Sequence, residues 1–210
     1  MHVNKCRRQF GHTKTYCHVR RHSLNTSSGA RKVQFIIDIY PAVRAALKGT
    51  GMSWELMLAE AAEETGWGQR VLPGTRNIYN IKAGEGWKGI SKSFLVLEFV
   101  RGKKVGVERR AEFRVYGSYR DAIADRVALL RRNPVYRAAG IFNPGVAGDL
   151  EKEAFALQKA GYATDPGYAR KIIAVFKSPL MQRAIKDAQE RELSRPAPLQ
   201  ASSSLRARIP

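Results

Sequence analysis

The sequence predicts a mainly α-helical domain with one small β-hairpin lobe. Several segments carry apolar residues at spacings of three and four, and most of these are bounded by recognisable cap chemistry; one stretch alternates with a period of two instead. A length of 210 residues leaves room for one well-buried core plus tails.

Phe35, Ile36, Ile39, Val43, Ala46 and Leu47 form the first amphipathic helix, which Gly49 and Gly51 close. Ser53 caps a second, with apolar positions Trp54, Met57, Leu58, Ala61 and Ala62 and a stop at Gly66. Residues 72–89 read as a loop rich in Gly, Asn and aromatics. A hairpin follows: 94–100 is apolar except for Glu98, residues 101–103 supply the turn, and Val105, Val107, Ala111, Phe113 and Val115 alternate, with Arg109 interrupting that face. Ser118 with Asp121 opens a third helix in the manner of a capping box, and Asn133 with Pro134 stops it. Asp149 caps a fourth to about Lys159. Asp165, with Pro166 in the first turn, is expected to open a fifth through Ile172, Ile173 and Phe176. The last helix, 180–193, is weakly anchored by its pattern.

The chain ends read differently. Residues 1–32 hold eight Lys or Arg and no acid, with all four histidines, and are expected to form a flexible basic arm; the domain boundary is set near Val33. The domain is expected over 33–180, with a C-terminal helix and a disordered tail over 181–210. Cys6 and Cys17 lie in the arm, leaving the body without thiols, and the spacing of Cys6, Cys17, His18 and His22 fits no common zinc site, so no metal is expected. No stretch approaches a membrane span, and no apolar run of a secretory signal follows the first basic residues, so export by the usual route is not expected.

The formal net charge is +19, and without the arm the body still carries +11. Such a surface suits a polyanion: nucleic acid, an anionic membrane, or a wall or outer-membrane polymer bearing carboxylates and phosphates. No nucleic-acid recognition motif accompanies the charge, which places a specific nucleic-acid function last.

Glu64 is the physically odd residue. On an α-helix it lies about 20° from Met57 and about 60° from Ala61, on the apolar side. Burial disfavours the charged form of a carboxylic acid, so such a group stays protonated near neutrality and can donate to a leaving oxygen. Glu60, four residues earlier, would repel a second negative charge and push the same way. Trp67, between Gly66 and Gly68, sits one turn from the acid and offers an aromatic face on which sugar rings stack.

Four ordered blocks then carry a resemblance. LAEAAEETGWGQ (58–69), NIYNIKAGEGWKG (77–89), EFRVYGSYRDAIADRVALLRRNPVY (112–136) and GYATDPGYARKI (161–172) resemble glycoside hydrolase family 73, the peptidoglycan glucosaminidases typified by the hydrolase half of a flagellar protein. The resemblance implies a lysozyme-like fold, no cofactor, and cleavage of the β-1,4 bond between N-acetylglucosamine and N-acetylmuramic acid; a lytic transglycosylase or muramidase on the same fold is the alternative. It also implies a monomer acting on the cell wall.

Position by position, the resemblance makes Glu64 the general acid and places a second carboxylate at Glu98, in a segment where Val96 and Leu97 stand for the family's usual threonines. Strand parity puts Glu98 with Phe94, Val96 and Val100, an odd place for a carboxylate unless it faces a cleft, although a surface Glu on an edge strand is the competing reading. Glu108 and Glu112 are the fallback. Tyr162 matches a tyrosine that helps hold the sugar or the water. Asp125 matches an aspartate considered as a second acid, with a structural ion pair as the commoner use. The residues expected to bind substrate are Trp67, Asn77, Tyr79, Asn80, Lys82, Trp87 and Tyr116, since an aromatic, amide-rich loop suits N-acetyl sugars, or else serves only to pack itself. Family members often have Gln where Glu60 stands and Leu where Glu63 stands.

Overall fold

The computed structural model describes residues 28–99, 106–163 and 165–194, with the side chains at 97–99 and 106–109 excluded. The arm before Ser28, its Cys and His residues, the hairpin turn, and the tail after Ser194 lie outside the described residues.

The expected architecture is present: seven helices among the described residues and one two-stranded antiparallel sheet. α1 (Ser28–Leu47) begins five residues before the expected boundary at Val33, so Arg31 and Lys32 belong to a helix and not to an arm. α2 (Trp54–Thr65) is the central element. Ser53 caps it by accepting from the Leu56 amide at 3.1 Å. Leu56, Met57, Leu58, Ala59, Ala61 and Ala62 are all fully buried. An apolar surface of that width belongs to a helix enclosed on nearly every side, and α1, α5 (Leu150–Lys159) and α6 (Tyr168–Lys177) all pack against it.

β1 (Ser91–Phe99) pairs with β2 (Gly106–Arg114), with Phe94 opposite Ala111 and Glu98 opposite Val107. Phe94 meets Phe113 edge-on, their ring centroids 6.0 Å apart, while Leu95 on the other face is exposed. The loop before the hairpin is stitched to its return strand. Ala83 N–H donates to Glu112 O, Arg114 N–H to Ile81 O, and Tyr116 N–H to Thr75 O.

α3 (Tyr119–Arg132) starts on the Ser118 cap as expected, and α5 on Asp149, whose carboxylate accepts from the amides of Glu151 and Lys152. Asn133 ends α3 and at once caps α4 (Pro134–Ala138), a short helix the sequence reading treated only as a stop. The fifth expected helix also starts late. Asp165 accepts from Gly167 N–H at 2.7 Å and its carbonyl from Tyr168 N–H, so Asp165 and Pro166 form a turn and α6 opens only at Tyr168. A short polar side chain that bonds the backbone two residues on stabilises a turn in competition with the helix.

α7 (Pro179–Leu193) is better anchored than its pattern suggested: Met181, Ala184, Ile185 and Ala188 are buried, and the helix packs along α1. It is therefore part of the same packed body as 33–180. Among the described residues no helix is long and apolar enough to cross a membrane, and no cluster of His, Cys, Asp or Glu is placed to hold a metal.

Candidate active site

Glu64 lies in the last turn of α2, next to its final residue Thr65, and its setting follows from how that helix stops. Gly66, Trp67 and Gly68 take φ of 55°, 61° and 78° in succession, left-handed backbone that glycine adopts freely and tryptophan rarely. Thr65 holds the turn: its hydroxyl donates to Ala61 O and accepts from Gly68 N–H. A Cβ at Gly68 would lie 2.4 Å from the Phe35 ring, so the chain passes α1 at a distance only glycine allows.

The Glu64 carboxyl is partly buried. Burial holds its pKa above the usual carboxylate value, and the charge of Glu60 pushes further the same way. Two groups work against that shift: the Asn80 amide, which donates to Glu64 Oε2 at 3.2 Å, and the Arg126 guanidinium. Asn80 also donates to the Glu64 carbonyl at 3.1 Å, from a residue with φ of 50° that asparagine tolerates. Glu63, on the adjoining face, lies 3.6 Å from Lys171 of α6.

Behind Glu64 stands a charged cluster. Glu60 is fully buried, and its Oε1 accepts from Arg126 Nε at 3.0 Å, Arg126 Nη2 at 2.8 Å and the Tyr162 hydroxyl at 2.5 Å. The Arg126 guanidinium lies over the Tyr162 ring, 4.5 Å from its centroid, and the Tyr162 ring is flanked by Tyr136 and Tyr168. Burial and then the negative charge of Glu60 push the hydroxyls of Tyr162 and Tyr168 far up, so both are protonated. Glu60 therefore raises Glu64 as expected from their spacing, but it is also half of an ion pair that the sequence reading did not foresee. The signal was available: Arg126 is spaced three and four residues from Ile123, Ala122 and Leu130, on the apolar face of its helix, and a buried arginine needs a buried acid.

The other expected site residues separate into those beside Glu64 and those that build the scaffold. Asn80 and Tyr162 join the Glu64 cluster. Asn77 has no exposed surface; its amide donates to Ile81 O and Arg114 O and its oxygen accepts from Ile81 N–H, which ties the loop to the hairpin and leaves nothing for a ligand. Tyr79 is buried, with its hydroxyl donating to Met57 O. Asp125 is claimed by Arg114 at 2.7 Å, the Tyr116 hydroxyl at 2.8 Å and Arg132 at 3.5 Å, which is the structural ion pair and not a free acid. That engagement also buries Tyr116. Trp87 is half-buried against Tyr116, with Arg114 over its ring at 4.5 Å, and Lys82 is exposed at the bridge to Phe113.

Trp67 lines a groove with Arg31, Gln34, Phe35 and Asp38 of α1, a wall to which Glu64 does not contribute. Glu98 is fixed as a backbone position opposite Val107; strand alternation puts that position on the ribbon face of Phe94 and Phe113. Glu112 stands on the exposed face and accepts from the Ser91 hydroxyl at 2.8 Å, while the Glu108 side chain is outside the described residues.

Residues 40–179 match the family described as Glucosaminidase, mannosyl-glycoprotein endo-beta-N-acetylglucosaminidase. The chain belongs to the glucosaminidase family. It is 40% identical over 148 residues to the peptidoglycan hydrolase FlgJ of Salmonella typhimurium, an alignment covering 68% of this chain and 45% of that protein. It is 31% identical over 123 residues to the exo-glucosaminidase LytG of Bacillus subtilis, covering 58% and 42%. The chain thus spans less than half the length of these curated relatives. Among solved structures, the glycoside hydrolase domain of Salmonella typhimurium FlgJ superposes with a TM-score of 0.59 at 36% identity, covering 78% of this chain and 95% of that one. A peptidoglycan hydrolase mutant from Sphingomonas sp. A1 gives 0.63 at 30% identity, covering 74% and 99%.

Proposed function

We propose that this glucosaminidase-family chain hydrolyses the β-1,4 bond between N-acetylglucosamine and N-acetylmuramic acid in peptidoglycan, with Glu64 as general acid. The observation that supports it most is the setting of Glu64: a carboxyl at the end of a buried helix, held by Asn80, whose proton affinity is raised by burial and by Glu60. Protonated Glu64 donates to the bridging oxygen as its bond to the anomeric carbon breaks. Water then adds to that carbon and gives up a proton. Glu98 on the hairpin is the proposed group that orients or deprotonates this water.

Tyr162 acts differently from a simple sugar-binding hydroxyl. Its hydrogen is committed to Glu60 and its ring is packed by Arg126, Tyr136 and Tyr168, so an oxygen lone pair is what it has left for a ligand. Trp87, half-buried, and exposed Lys82 are the remaining candidates for sugar contact from the loop. The net charge of +19 supports retention on an anionic wall polymer, and the cell wall is the proposed place of action.

The reaction is tested by mass spectrometry of the products released from purified peptidoglycan. Reducing N-acetylglucosamine ends are expected. Anhydro-muramyl ends would make the chain a lytic transglycosylase, and reducing muramic acid ends a muramidase.

A further inference from the structure

Charged side chains buried in a helical core usually come as stabilising pairs or as parts of a site, and geometry distinguishes the two. A carboxylate and a guanidinium that serve only each other favour two parallel hydrogen bonds, one to each oxygen. Glu60 and Arg126 are not arranged so. Arg126 Nε, Arg126 Nη2 and the Tyr162 hydroxyl all donate to the single oxygen Oε1, while Glu60 Oε2 and Arg126 Nη1 have no hydrogen-bond partner among the described residues. A buried pair whose three donors crowd onto one carboxylate oxygen is poor use of a core if stability is its purpose.

Its position supplies another purpose. Glu60 and Glu64 lie one turn apart on α2, and residues four apart share a helix face. Arg126 reaches Glu60 from α3, and Tyr162 reaches it from the segment before α6, so the carboxylate is fixed from two other elements. The charged groups that act most on Glu64 are Glu60 and Glu63 on its own helix and Arg126 from α3; Glu64 in turn acts on Tyr162 and on Tyr168 of α6. Lys171 of α6 bears on Glu63, and Asn80 donates to Glu64 from the loop. Burial and the charge of Glu60 act on Glu64 in the same sense, and Arg126 acts against them.

We propose that Glu60 is a positioning residue for the reaction: buried and pinned one helical turn behind Glu64, its negative charge keeps Glu64 in the protonated, donating form. This rests on the reading of Glu64 as the acid. Glu60 touches no reacting atom in this account; it acts through Glu64, and through the orientation it gives the Tyr162 hydroxyl.

The test is Glu60→Gln, which keeps an acceptor oxygen for Arg126 and Tyr162 and removes the charge. Initial rates of peptidoglycan clearing are measured across the acid-to-alkaline range at constant ionic strength, for wild type and variant. The alkaline limb, where Glu64 loses its proton, is expected to move down by about one pH unit, the size of a like-charge interaction across one helical turn in a partly buried site. A merely structural role would lower the rate at every pH and leave the limb where it was; that result overturns the proposal. Should Glu60→Gln leave Arg126 too poorly compensated to fold, Glu60→Gln combined with Arg126→Gln removes both charges. Because Glu60 lies one turn from Glu64 on the same helix whereas Arg126 reaches Glu60 from α3, the limb of this double variant is expected below that of wild type by a smaller step, and a limb at or above the wild-type position overturns the proposal. Glu64→Gln separates the two levels: full activity in it refutes the acid itself, whereas inactivity there with an unmoved limb in the Glu60 variants refutes only the role of Glu60.

Discussion

Asn80 provides a sharp quantitative handle on Glu64, because its amide is the hydrogen-bond donor to the carboxylate in the structure. Replacing Asn80 by glycine removes that donor while keeping the backbone at its φ of 50°, a conformation glycine adopts without strain. A hydrogen bond to a charged group contributes about 1.5 to 3 kcal/mol, and the Nδ2 to Oε2 distance of 3.2 Å puts this one at the weak end. A loss of about 1.5 kcal/mol corresponds to about one pH unit. Water entering the vacated space restores part of it, so an upward shift of about half a unit to one unit is expected. The direction follows from the donor favouring the ionised form: without it Glu64 binds its proton more tightly, and the alkaline limb of the pH–rate profile moves up. Initial clearing rates at constant ionic strength read this directly. Asn80→Ala should shift the limb equally and melt below Asn80→Gly, because a Cβ in left-handed backbone costs about 1 kcal/mol. An unmoved limb, or one that moves down in Asn80→Gly, would refute the assignment of Asn80 as the group that restrains Glu64.

Three further outcomes follow from the scaffold. Buried Glu153 of α5 accepts from the amides of Ser53 and Gly148, and burial pushes its carboxyl up to about 7. An acid whose proton affinity is higher folded than unfolded stabilises most at low pH, so thermal stability should fall as pH rises from the ordinary carboxylate range through about 7, and Glu153→Gln should flatten that slope. Gly68→Ala, with its Cβ 2.4 Å from the Phe35 ring and φ of 78°, should lower stability by about 2 kcal/mol or more in denaturant titration. Asp125→Asn should lower the melting temperature by several degrees, since it weakens a bonded pair with Arg114 that is mostly shielded from water, while activity per folded molecule persists; a loss of activity with unchanged melting temperature would restore Asp125 as a second acid.

The fold was legible wherever local chemistry and periodicity agreed. Ser53, Ser118 and Asp149 cap the helices expected of them, and the hairpin stands where the alternation changes from three and four to two. It was misread where a side chain had two local uses. Asp165 is as good a turn former as a helix cap, and the backbone of Gly167 decides for the turn. The anchoring of α7 against α1 was invisible because long-range packing leaves no mark on a short stretch of amphipathic pattern.

The half-buried setting of Glu64 was legible for a simple reason: its spacing puts a carboxylate on the apolar side of its helix, and such a placement demands an explanation. The same rule, applied to Arg126, would have found the partner of Glu60. Polar and aromatic residues in and beside a glycine-rich loop suit sugars, which makes Asn77, Tyr79 and Tyr116 look like ligand contacts, but each has a partner inside the protein that residue type alone cannot reveal. Two successive residues of α3 show the limit most clearly. Asp125 serves the hairpin base and Arg126 the interior behind Glu64, a division set by the angle of about 100° between neighbouring helical positions.

One comparison bears on the central claim more directly than any other: peptidoglycan clearing by Glu64→Gln, with the melting temperature of the same preparation. The account predicts that clearing disappears while the thermal transition stays at or above that of wild type, since a neutral amide replaces a partly buried acid. Clearing at the wild-type rate by a folded Glu64→Gln protein would contradict it.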